Sequence, residues 1–173
     1  MVRLHMLSAI LAKSECAACK FCCSFRRTSL WETPIFPAAD LSKFKALKPE
    51  VSFRPAGSSG QSYSFDLSAC YKSSDAAEEA PCPFLDNSRG CTLPQELKPF
   101  DCKIWPLRAV SQPDGSIVVG LTPTCQAINK IPLEKVRELA ASGLGQEILD
   151  YAASHPDIIK TSDCTDYITV FKN

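Results

Sequence analysis

The chain has 173 residues, 45% of them apolar, and 19 basic side chains against 19 acidic ones. That is enough for one domain with a real core, so no covalent staples are needed for folding. A formal net charge of zero gives no electrostatic reason to expect nucleic acid or an anionic membrane as partner.

The predicted elements, in chain order, describe an α+β domain. Residues 4–13 have the spacing of a short amphipathic helix. The apolar stretch within it is too short to span a bilayer, and no small-residue cleavage site follows. The expected location is therefore a reducing cytoplasm. Trp31 to Phe36 reads as a strand, and Ala38 to Leu47 as a helix that stops before Pro49. The Gly/Ser/Pro-rich stretch from Arg54 to Ser62 reads as a loop, and Ser62 to Leu67 alternates like a strand. Lys72 to Ala80 is polar and acidic, a loop or short exposed helix. Cys82 to Pro106 carries Pro83, Pro94, Pro99 and Pro106 with no sustained period, an irregular segment that something must hold in place. Gln112-Pro-Asp-Gly115 is a turn leading into a strand at Ser116 to Leu121. Helices follow at Pro132 to Ala141 and at Gly145 to Ser154, and Tyr167 to Phe171 is a terminal strand. The expected organisation is one domain over residues 1–173, with a metal core at about 15–125 and a C-terminal helical cap and strand at 132–172.

The chemistry concentrates in cysteine. The chain has ten, and Cys16, Cys19, Cys22 and Cys23 fall within eight residues. Packing does not call for such crowding, but aiming several soft thiolates at one point serves zinc or an iron–sulfur cluster. An even count also permits disulfides. Against them stand the adjacent pair Cys22-Cys23, the tight spacing and the absence of an export signal, so metal ligation is the preferred reading. Cys82, Cys91, Cys102 and Cys125 extend the set to eight, enough for two four-ligand sites or for one site with spare thiols. Bound thiolates would add one negative charge each, which the cations would have to offset. In extended backbone Cys22 and Cys23 would face opposite ways, so each could serve a different centre, or one could bind while the other packs. Cys70 and Cys164 stand apart and read as ordinary thiols. Gly90 before Cys91 suggests a tight turn with positive φ. Backbone amides freed near the prolines are available to donate to bound sulfurs.

Taken in order, Cys-x-x-Cys-x-x-Cys-Cys, Cys82-Pro-Phe-Leu, Gly90-Cys91 and Pro99-x-x-Cys102-x-x-x-Pro106 resemble the YkgJ-type cysteine-cluster family. That family is described as a zinc- or iron-chelating domain. It includes the flagellin lysine N-methylases, iron–sulfur proteins that use S-adenosylmethionine. The resemblance covers roughly Glu15 to Cys125. It implies that Cys16, Cys19, Cys22, Cys23, Cys82, Cys91 and Cys102 are cluster cysteines, joined by Cys125. Two departures stand out. Lys20 replaces the glycine that usually follows the second cysteine. Lys98 and Lys103 replace arginines, keeping the charge but losing the bidentate fork. The methylases are also much longer than this chain, so their activity does not carry over.

Other signatures are absent. No His-Glu-x-x-His and no P-loop occur, and Gly143-Leu-Gly145 lacks a third glycine. His155, before Pro156 at a helix end, reads as a C-terminal cap, and His5 as packed or exposed. Phe21, Phe84, Phe100 and Trp105 lie beside cysteines and serve either as a water-excluding shell or as plain core. Arg26-Arg27, Lys20, Lys98 and Lys103 either offset thiolate charge or form a solvated basic face.

Three functions fit these features. The leading one is an iron–sulfur centre, a [4Fe–4S] cluster, or iron, with a redox or cluster-dependent role. The alternative is a structural Zn2+ module presenting a surface to a protein partner that the sequence does not name. The third is a metal carrier or thiol-exchange protein. Whether the chain is an enzyme is undecided by its residues.

Overall fold

The computed structural model describes residues 7, 10, 12–27, 32–162 and 166–173, with the side chains of Lys13 and Cys16 outside that description. Helices and sheets occur together, in line with the α+β expectation. In chain order the elements are α1 (Lys13–Cys19), β1 (Ser24–Arg26), β2 (Phe36–Pro37), α2 (Leu41–Leu47), β3 (Phe53–Ala56), β4 (Ser62–Phe65), β5 (Glu79–Pro81), β6 (Leu85–Asp86) and β7 (Gly90–Cys91). Then come α3 (Phe100–Ile104), β8 (Leu107–Ser111), β9 (Ile117–Leu121), α4 (Leu133–Leu139), α5 (Gly145–Ser154), β10 (Lys160–Thr161) and β11 (Ile168–Phe171). The contacts group into two compact units, one of residues 1–19 with 103–173 and the other of residues 20–102.

The second unit is built on phenylalanine. Its sheet has the order β2-β4-β3, antiparallel throughout, with Phe53 opposite Phe65 and Phe36 opposite Tyr63. Phe44, the fully buried residue of α2, lies against this sheet, its ring 4.8 Å from Phe36, 5.5 Å from Phe65 and 5.9 Å from Phe84. Edge-to-face and tilted pairs of this kind add to plain area burial. Arg54 to Ala56, expected as loop, is strand instead. Pro55 is compatible with it because β3 lies at the edge of its sheet, where no ladder amide is needed from that side. The strand expected at Trp31 to Phe36 is in fact the two-residue β2 beginning at Phe36, and residues 28–31 lie outside the described residues.

The first unit has a four-stranded sheet in the order β10-β8-β9-β11. β8 and β9 form a hairpin around Gln112-Pro-Asp-Gly115, and β10 joins β8 in parallel. The expected turn, strand and terminal strand are all present. β8 itself escaped the sequence reading, because its five residues have burial on both faces up to Val110 and so show no alternation. α5 covers β8 and β9 with Ile148, Leu149 and Ala152. α4 and α5 are nearly continuous, joined through Ala140–Leu144, where Gly143 takes φ 124° at a kink. At Gly145 a Cβ would collide with the Phe171 ring, so the helix start and β11 touch closely.

His155 caps α5 as expected. Its amide donates to the Tyr151 carbonyl at 2.9 Å, and its ring stacks on Tyr151 at 4.0 Å. The amphipathic helix expected over residues 4–13 lies largely outside the described residues. Helix α1 begins where it was expected to end and carries Cys16 and Cys19. Among the described residues no helix is long and apolar enough to cross a membrane.

Candidate metal centre

The local structure around Cys22 begins at Lys20. Its φ of 55° and ψ of 1° are left-handed, the conformation that ends many helices and favours glycine. Lysine thus occupies a position whose backbone conformation favours glycine. The Lys20 Nζ donates to the Asn87 carbonyl at the tip of the β6–β7 hairpin. Phe21–Cys23 then forms a single 3-10 turn, closed by the Ser24 amide on the Phe21 carbonyl. The Cys22-Cys23 pair is thus helical and not extended, so the argument from opposite faces of an extended chain does not apply.

Pairing of β1 with β5 sets Ser24 opposite Pro81. One step further along that ladder, the Cys82 amide donates to the Cys23 carbonyl at 2.7 Å. The β6–β7 hairpin follows at once. Leu85 pairs with Cys91, and the Thr92 amide donates to the Phe84 carbonyl at 2.9 Å. Gly90 takes φ 77°, so the positive φ expected before Cys91 is present. Asp86 fastens the turn, its Oδ1 accepting the Ser88 amide at 2.9 Å and the Arg89 amide at 2.8 Å. Those bonds, led by the one from the Ser88 hydroxyl, hold its carboxyl far below the usual range.

Two ladders therefore bring Cys22 and Cys91 each within charge–charge range of Cys82. Cys82 is partly buried, and its thiol is pushed from about 9.0 up to about 12. Burial is the main cause, and the neighbouring Cys91 and Cys22 add to it. Two groups oppose the shift: the Phe84 amide, which hydrogen-bonds the sulfur, and the Lys48 ammonium. Lys48 was not singled out in the sequence. It ends α2, donates to the Pro83 carbonyl at 2.8 Å across 35 residues of chain, and no spacing rule could have found it. The Phe84 amide matches the donor expected beside the prolines.

The other expected ligands are placed as follows. Cys23 is half-buried beside Cys22, and Cys102 is exposed on α3. Cys19 is exposed at the end of α1, and Cys125 is 8% exposed with its carbonyl accepting the Asn129 amide at 3.0 Å. Cys16 lies in α1. Cys19, Cys23, Cys82, Cys91 and Cys125 are free thiols, as is exposed Cys70. Cys164 lies outside the described residues. Among the described residues, no three or more His, Cys, Asp or Glu side chains stand in metal-holding geometry. The donors are soft and an amide already addresses one sulfur, which suits zinc or iron. Their present separation does not make a closed site.

The aromatic and basic neighbours divide differently from the sequence reading. Phe84 is core, packed on Phe44 and Phe65, whereas Phe21 is 46% exposed. Arg26 is exposed and Arg27 half-buried, and each is paired with a carboxylate. Arg26 holds Glu32, its Nε 2.6 Å from Oε1, and Arg27 pairs with Glu78 at 3.5 Å. No family model, curated protein or solved structure matches the chain, so the likeness to the cysteine-cluster family rests on its motifs.

Proposed function

We propose that this protein binds a soft metal centre through its cysteines, with Cys22, Cys82 and Cys91 as the nucleus of the site. The observation that carries the reading is that two antiparallel ladders, β1–β5 and the β6–β7 hairpin, set Cys22 and Cys91 each close to Cys82, with the Phe84 amide on the Cys82 sulfur. Sulfur-directed amides stabilise bound thiolate and tune its potential. Cys16, Cys19, Cys23, Cys102 and Cys125 are the further candidate ligands. An iron–sulfur cluster, or iron, with a redox or cluster-dependent role is the leading form, because all eight candidates are thiols and none is histidine. Bound there, a cluster would supply electron transfer, while the chain would hold the sulfurs, donate from Phe84 and limit water through the Phe44–Phe65–Phe84 core. A structural Zn2+ site is the second form, since an all-thiolate set suits zinc as well; in the metal-free chain burial holds the Cys82 thiol protonated. That thiol must lose its proton to bind, so metal and fold would be coupled.

The test is protein expressed and purified without oxygen, with its visible spectrum recorded and iron, zinc and acid-labile sulfide counted per chain. A broad band near about 400 nm with roughly four iron per chain supports a cubane cluster. Colourless protein with zinc supports the structural module. Protein that takes up neither metal, with its thiols reduced, overturns the proposal.

A further inference from the structure

Away from the cysteines, the 20–102 unit contains a small pocket of about 90 Å³ lined by Arg27, Arg54, Thr33, Asp66, Ser68 and Tyr71. We propose that it binds one small oxyanion, a carboxylate or a phosphate, between the two guanidiniums. Arg27 is set rigidly. Its guanidinium lies 4.5 Å over the Tyr71 ring, and its Nη2 donates to the Ser73 carbonyl and approaches Glu78. Tyr71 is fixed in turn, its hydroxyl donating to the Phe25 carbonyl at 2.8 Å. This leaves the Arg27 Nε buried with no acceptor among the described residues. A buried guanidinium donor without an acceptor is uncommon and calls for an ion or water.

Arg54 comes to the same pocket from β3. Its charge acts through space on Asp66 and on Tyr71. The Asp66 carboxylate would oppose an anion, but it is turned to its own turn. Its Oδ1 accepts the Ser68 amide at 2.9 Å, and the Ser68 hydroxyl bonds it as well. Glu78 is likewise occupied, by the Lys72 and Ser73 amides at 2.7 and 2.8 Å. With both carboxylates occupied elsewhere, Arg27 and Arg54 are the cationic residues of the pocket lining. Paired guanidiniums suit planar or tetrahedral oxyanions because their donors form a fixed fork. The volume admits one such ion and little more.

The test is a titration of the full-length protein with sodium phosphate and, separately, sodium acetate, each against sodium chloride at equal ionic strength. The Arg27 Nε–H signal is followed by nitrogen-15 NMR and assigned by its loss in Arg27→Lys. A saturable shift with phosphate or with acetate is expected, and whichever saturates names the source of the oxyanion. Arg54→Gln should weaken that binding by about tenfold, the size of one lost charged hydrogen bond. Shifts no different from those in chloride would overturn the proposal. Saturation of equal affinity in Arg54→Gln protein of unchanged fold would overturn it as well.

Discussion

Cys82 stands at the centre of the proposed cysteine site. Its thiol is held near 12 in the folded chain against about 9.0 when unfolded. The folded state therefore holds its proton more tightly, and this contribution to stability is intact below about pH 9. It is lost as pH rises from there toward 12. Urea melts of reduced, metal-free protein at pH 8 and pH 10 should show wild type losing more stability than Cys82→Ser. Equal losses would remove Cys82 as the cause. Alkylation at pH 8 should likewise reach exposed Cys19 well before Cys82, read by mass spectrometry of the peptides. Lys20 offers a second residue-scale prediction. A left-handed lysine is strained, so Lys20→Gly should raise stability by up to about 1 kcal/mol. The lost contact to the Asn87 carbonyl offsets part of that gain, and a fall in the urea midpoint would show that the tether outweighs the strain.

At the level of elements, each unit depends on one close packing event. In the 20–102 unit, α2 is seven residues long and would not persist alone. Phe44 anchors it, so Phe44→Ala should cost about 3–5 kcal/mol by cavity formation, measured by denaturant unfolding. A cost under about 1 kcal/mol would mean that the aromatic cluster closes over the gap. In the other unit the start of α5 meets β11 at Gly145. An added methyl there overlaps the Phe171 ring down to its Cβ, which cannot swing away as a side-chain tip can. Gly145→Ala should therefore destabilise by about 2 kcal/mol despite alanine's better helix propensity. A stabilised Gly145→Ala protein would show that β11 yields.

For the whole molecule, each of the two units carries candidate ligands of its own. The chain passes from one unit to the other after Cys19 and again after Cys102, so both passages fall at candidate ligands. Cys22, Cys23, Cys82, Cys91 and Cys102 belong to one unit, and Cys16, Cys19 and Cys125 to the other. Under the proposed metal binding, Cys82→Ser, Cys19→Ser and Cys102→Ser should each bind less metal per chain than wild type. Cys70→Ser and Cys164→Ser should bind as wild type does. Removing metal with a chelator should lower the thermal midpoint of wild type more than that of Cys82→Ser. Metal content indifferent to all of these cysteines would count against the assignment.

What the sequence determined by itself was local. Gln112-Pro-Asp-Gly115 closes a hairpin, Pro132 opens a helix, His155 ends one and Gly90 turns with positive φ, because each rests on the backbone preference of a few neighbouring residues. It also determined which residues are chemically capable, since eight clustered thiols are visible without a fold. The tertiary structure decided which of them meet. Cys22 and Cys82 are neighbours because β1 pairs with β5, and Cys91 joins them because β6 returns through β7. Lys48 reaches that group from α2, and Arg27 turns from it toward Tyr71 and Glu78. Pairing register and side-chain burial are long-range quantities, set by how the phenylalanine core closes, and no short window of sequence contains them.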